Sequence, residues 1–195
     1  MRQTGKGQNS SAVAAGRLRR SDAVRNETAV RTAGRAVFLR LGDALTMDDV
    51  ADEAGVSKGT VYATFPGRDT LLRELTVEAL EESSAAYREA IGAEDPWQSL
   101  TDGLLNRRLA ASTAARLMDP DAPDSPEHRA LEDSLRALGE LVEVLQSRGI
   151  VRPEVTVTQV STLLQGLFTV VRPDPDRSDE EARPLVAIIL RGIRV

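Results

Sequence analysis

The sequence predicts an all-α protein. Apolar residues recur at three- and four-residue intervals along most of the chain, and a helix-start signal precedes nearly every such run. No stretch alternates long enough to make a strand, and there is no internal repeat. With 195 residues, 41% of them hydrophobic, the chain can build one or two compact units around a real core.

Residues 1–22 are rich in Gly, Ser, Gln and Ala without a sustained apolar period, and read as a flexible basic arm. From about Asn26, Val30, Ala33, Val37 and Leu41 trace a helix with Arg31, Arg35 and Arg40 on its wet side; Gly42-Asp43 ends it. Thr46 with Asp49 three residues on is a capping box, and Met47, Val50, Ala51 and Ala54 form the buried stripe of a short helix. Gly55-Val56 breaks that helix. Ser57 caps the next one, which Pro66 stops by Phe65. A long helix then runs from near Arg68 to about Ile91, with Leu71, Leu72, Leu75, Ala79 and Leu80 inward.

Asp95-Pro96, a cap followed by proline in the first turn, opens a helix expected to reach about Met118. Asp119 to Ser125 is a loop, and Ser125-Pro126 opens the following helix, which ends at Arg148-Gly149. Thr156 and Gln159 box the start of a helix to about Val171. The last helix starts either at the Ser178 and Glu181 signal or at Pro184.

Composition narrows the chemistry. Cysteine is absent, which excludes disulfides, thiol catalysis and cysteine-ligated zinc. The single histidine, His128, stands beside Glu127 in a helix's first turn without metal-ligand spacing, so it is read as a surface residue and no metal or cofactor is expected. No run is long enough to cross a membrane, and Met1 to Ser11 lacks an apolar leader core, so the expected address is the cytoplasm. There is no Glu-x-x-His pair, nucleophile motif or phosphate loop, and an enzyme is not expected.

The net charge of −5 hides an asymmetry. Residues 1–73 carry 12 Lys and Arg against 8 Asp and Glu, a balance of +4, whereas residues 74–195 carry 13 against 22, a balance of −9. Before Glu27 only Asp22 opposes Arg2, Lys6, Arg17, Arg19, Arg20 and Arg25. A basic end joined to an acidic body suggests that a nucleic acid is met at the N-terminal side.

The short helices supply the motif. Small Ala51 lets two helices cross closely, Gly55 turns the chain sharply, and Val61 seats the second helix on the first. This is helix-turn-helix spacing, whose second helix enters the major groove. With Val56, Val61 and Phe65 inward, Ser57, Lys58, Gly59, Thr60, Tyr62 and Thr64 are left outward, small, hydroxylated or cationic groups suited to phosphates and base edges.

The run Thr46-Met47-Asp48-Asp49-Val50-Ala51-Asp52-Glu53-Ala54-Gly55-Val56-Ser57-Lys58-Gly59-Thr60-Val61-Tyr62-Ala63-Thr64-Phe65 resembles the DNA-binding signature of TetR-family transcriptional regulators. Pro66-Gly67-Arg68-Asp69-Thr70-Leu71-Leu72 is similar to that family's link into its fourth helix, and the resemblance covers about residues 24–80. It implies an N-terminal three-helix bundle with the helix-turn-helix over 23–83 (motif 46–65), followed by a helical ligand-binding and dimerisation domain over 84–195. It also implies a repressor that binds double-stranded operator DNA as a homodimer and is released by a small-molecule effector. By the same resemblance Tyr62 contacts a phosphate, Lys58, Gly59 and Thr60 lie closest to the bases, and Arg68 stands where the family commonly has lysine. Thr46 offers a helix start to the phosphate backbone. Asp48, an acid near DNA, is read as helix-start chemistry. Arg17, Arg19 and Arg20 would let the arm reach a flanking minor groove.

The resemblance also implies that the last two helices pair with their copies in a second subunit. Val157, Val160, Leu164, Leu167 and Val171, widened by Leu163 and Phe168, form one stripe; Val186, Ile189, Leu190 and Ile193 form the other. The body's aromatics are Tyr87, Trp97 and Phe168, which favours an aliphatic effector pocket over an aromatic cage. Trp97, Arg108 and Phe168 are the candidate effector contacts.

Overall fold

A computed structural model describes residues 8–41, 44–106, 124–170 and 179–195. Eight helices account for most of them: α1 (Gln8–Leu41), α2 (Met47–Ala54), α3 (Lys58–Thr64), α4 (Arg68–Gly92), α5 (Pro96–Asn106), α6 (Pro126–Ser147), α7 (Val157–Val170) and α8 (Asp179–Arg191). Among the described residues the one β-type pairing is an isolated bridge between Val151 and Arg194. The all-α expectation holds. No helix of the described residues is long and apolar enough to cross a membrane.

Helix α1 departs from expectation at its start. It begins at Gln8 rather than near Asn26, so residues 8–22 are helical and Arg17, Arg19 and Arg20 stand on a helix, not on a flexible arm. The physical reason is propensity. Ala, Leu and Arg favour helix without any apolar face, a signal that a search for amphipathic period overlooks. Leu41, expected on the inner stripe, is exposed at the helix end.

Helices α1 to α4 enclose a first core. Val30, Val37, Val50, Val61, Phe65 and Leu71 are sealed from solvent within it, each contributing roughly 1.5–3 kcal/mol by burial. Gly34 matters to its closeness: a Cβ there would stand 3.0 Å from Leu71 Cδ1, so a larger residue would require the Leu71 side chain to shift. Arg31 and Arg35 are not simply wet. Arg31 pairs with Glu74 at 2.9 Å and Glu78 at 3.1 Å, Arg35 pairs with Glu82, and the Arg31 guanidinium lies 5.1 Å from the centre of the Phe65 ring. These pairs are half exposed and contribute at most about 1 kcal/mol each, yet together they tie α1 to α4.

Helix α4 leaves this core and packs along α6, while α5 contacts α4, α6 and α8. The second core gathers Tyr87 and Ala90 of α4, Leu100 of α5, Leu138, Leu141 and Leu145 of α6, Val160, Leu164 and Leu167 of α7, and Val186 and Leu190 of α8. The start of α6 belongs to the other core: Ala130 packs into it, and Arg73 of α4 donates to the buried Glu127 carboxylate at 3.2 Å. Pro184 does not begin the last helix but sits exposed inside it. The C-terminus hooks back, Arg152 N–H donating to Ile193 O at 3.1 Å and Val195 N–H to Ile150 O at 3.2 Å. Helix α5 is described to Asn106, so its expected end near Met118 lies outside the described residues.

Candidate nucleic-acid interface

Two short helices form the site, and neither could hold itself in isolation. At the start of α2, Thr46 and Asp49 make the full reciprocal box: Asp49 N–H donates to Thr46 Oγ1 at 3.2 Å and Thr46 N–H donates to Asp49 Oδ2 at 2.9 Å. The Thr46 hydroxyl also donates to Asp49 Oδ2 at 2.6 Å, and with the backbone N–H it holds the Asp49 carboxyl below its ordinary range. Gly55 then takes the left-handed conformation, φ 64°, and Val56 N–H closes the turn on Ala51 O at 3.1 Å. Ser57 Oγ accepts from Thr60 N–H at 3.2 Å to start α3. Phe65, extended because Pro66 follows, ends it.

None of the expected residues is buried. Thr46, Ser57, Lys58, Gly59 and Tyr62 are exposed, and Thr60, Thr64 and Arg68 are half-buried. Tyr62 is 44% exposed although Val61 beside it is fully buried. Thr64 Oγ1–H donates to Thr60 O at 3.2 Å, which turns that hydroxyl back onto the helix. Arg68 Nε–H donates to Leu45 O at 2.8 Å. Lys58, Tyr62 and Arg68 join Ala44, Leu45, Thr46, Met47 and Asp48 around a depression of about 370 Å³.

One member of that surface had a different expectation. Asp48 does not act only at the start of its own helix; its Oδ1 lies 2.6 Å from Lys58 Nζ across the turn of the motif. That hydrogen bond is the main reason the Lys58 ammonium is held above its ordinary value. The two residues are ten apart in sequence, a separation no helix period brings together.

The body's candidates are less gathered. Trp97 is half-buried against the second core, with Arg194 5.0 Å from its ring centre, and borders an open groove of about 510 Å³. Arg148 Nη1–H donates to Glu94 O at 3.1 Å on the same rim. Arg108 lies outside the described residues, as does the side chain of Phe168. His128 Nδ1 lies 3.1 Å from the capping Ser125 Oγ. Among the described residues no three metal-ligating side chains cluster.

The stripes expected between subunits are largely used within one chain. Val160, Leu164, Leu167, Val186 and Leu190 are buried in the second core together with Leu138, Leu141 and Leu145 of α6. What α7 and α8 leave outward is a shallower groove of about 600 Å³ lined by Thr158, Gln159, Thr162, Leu163, Gly166, Leu167 and Ile189.

Residues 32–75 match the family profile of bacterial regulatory proteins of the tetR family, and residues 98–195 match that of the SbtR-like transcriptional regulator C-terminal domain. The chain is similar to the crystal structure of a TetR transcription regulatory protein from Mycobacterium vanbaalenii at 26% identity, covering 90% of this chain and 99% of that one, with a TM-score of 0.57. A TetR transcriptional regulator from Streptomyces coelicolor is 21% identical over 86% of this chain and 98% of that one, with a TM-score of 0.60. A TetR-family regulator from Agrobacterium tumefaciens, at 14% identity, covers 89% of this chain and 100% of its own with a TM-score of 0.63. The last two likenesses show the fold alone. No curated protein matches the chain in sequence.

Proposed function

The chain belongs to the TetR family of bacterial transcription regulators, which bind DNA, and from that premise we propose a homodimeric repressor released from its operator by a small molecule. The observation that carries the reading is the polar outer face of α3, held on a dry core by two capped helix starts. Tyr62 and Arg68 contact phosphates, Lys58, Gly59 and Thr60 approach base edges, and Thr46, Ser57 and Thr64 line the flanks. A second copy covers the groove between α7 and α8, so that two heads meet successive major grooves about 34–36 Å apart. The effector occupies the body, with Trp97, Arg108 and Phe168 as its candidate contacts, and shifts the dimer toward a head spacing that no longer matches the DNA.

Selection of bound genomic fragments by the full chain, followed by gel shifts, tests this reading. Tyr62→Ala is expected to weaken binding of the selected duplex by about tenfold without lowering the melting temperature, since the side chain is exposed. Unchanged affinity at physiological salt would remove α3 from the interface.

A further inference from the structure

We infer that Asp48 and Lys58 act as one unit that selects a G·C base pair in the major groove, Lys58 donating to guanine O6 and N7 while Asp48 accepts from the N4 amino group of the paired cytosine. The inference rests on the DNA-binding reading above and deepens it. It starts from an ion pair whose Nζ to Oδ1 distance is 2.6 Å and whose side chains are 55% and 63% exposed. A pair this open adds little to folding. Both groups instead border the depression shared with Tyr62 and Arg68, on the surface that would meet the duplex.

An acid on that surface repels every phosphate, so its favourable partner in the groove is an exocyclic amino group. Which base pair it suits follows from the order of groups along the major-groove edge. Across G·C the order is acceptor, acceptor, donor: N7, O6, then cytosine N4. A cation beside an anion meets this row in register, the ammonium on the two acceptors and the carboxylate on the terminal donor. Across A·T the single donor, adenine N6, sits between the acceptors N7 and O4. A cation on N7 and a carboxylate on N6 can also pair there, but the ammonium then has one acceptor instead of two and the carboxylate lies beside O4, so G·C is the better match. The existing pair also orders the lysine before DNA arrives, so less side-chain freedom is lost on contact.

The test selects duplexes from a random-sequence library with the full wild-type chain and then compares Asp48→Ala and Asp48→Glu on the selected operator. Wild type is expected to prefer G·C at one position in each half-site by about tenfold over A·T. In Asp48→Ala that preference collapses at this position alone, while Asp48→Glu retains part of it; melting curves of the three proteins confirm equal folding. If Asp48→Ala changes affinity by one common factor for every sequence, the carboxylate acts by charge alone and the inference is overturned. No change on any sequence overturns it equally. A wild-type chain that selects no sequence would instead sink the DNA-binding reading itself, an outcome visible before any variant is made.

Discussion

The two cores of this molecule are finished differently at their edges. Around Phe65, Val61 and Leu71 the rim is charged: Arg31 and Arg35 reach over to Glu74, Glu78 and Glu82, and these pairs are partly exposed to water. Around Leu141, Leu145 and Leu190 the interior is as dry, but the rim along α7 and α8 carries Leu163 and Ile189 beside a groove, and Ile188 is 63% exposed. The charged rim leaves little apolar surface open, whereas the apolar rim leaves more to be covered. The rim of the first core is thus polar, and that of the second keeps apolar side chains at the surface.

Three substitutions bear on that contrast. Phe65→Ala opens a cavity in the sealed head and is expected to lower stability by about 3–5 kcal/mol, read by urea denaturation. A loss under about 1 kcal/mol would mean that the core around Phe65 repacks to fill the space. Leu163→Glu places a charge in the body groove. Sedimentation is expected to return a monomer, with operator affinity down about a hundredfold as two-headed binding is lost. A dimer of unchanged strength would free that groove for another role.

The third and smallest effect probes the joint between the regions. Burial pushes the Glu127 carboxyl up, but its own backbone N–H, Arg73 and Ser125 outweigh this and hold it below its ordinary value of 4.5. A lowered carboxyl stabilises the fold fully above that ordinary value, and the contribution fades as pH falls through the lower folded value. Arg73→Met should therefore lose about 1–3 kcal/mol at pH 7, and its gap to wild type should narrow on acidification. A gap that ignores pH would assign Arg73 a packing role only.

The head was legible residue by residue because its signals are local. Thr46 and Asp49 lie three apart, Gly55 admits the left-handed turn at low steric cost, and Pro66 bars its neighbour Phe65 from continuing α3. The same held in the body for Ser125-Pro126, for Gly149 with φ 68° and for the Thr156 and Gln159 box. Apolar stripes are less informative. The spacing of Val160, Leu164 and Leu167 says that one face is buried but not what buries it, and in this fold α6 and α8 do so first.

Local residue patterns suffice for the order of helices, the turn and caps of the motif, and the set of polar side chains on α3. Each of these depends on residues within about four positions of one another or on a backbone preference of one residue type. That Asp48 meets Lys58, that Leu71 lies against Gly34, that Arg31 spans to α4, and which edge of α7 stays open emerge from helix packing alone. Those contacts depend on the angle and distance at which helices cross, which the packing of the whole core sets and no local spacing encodes.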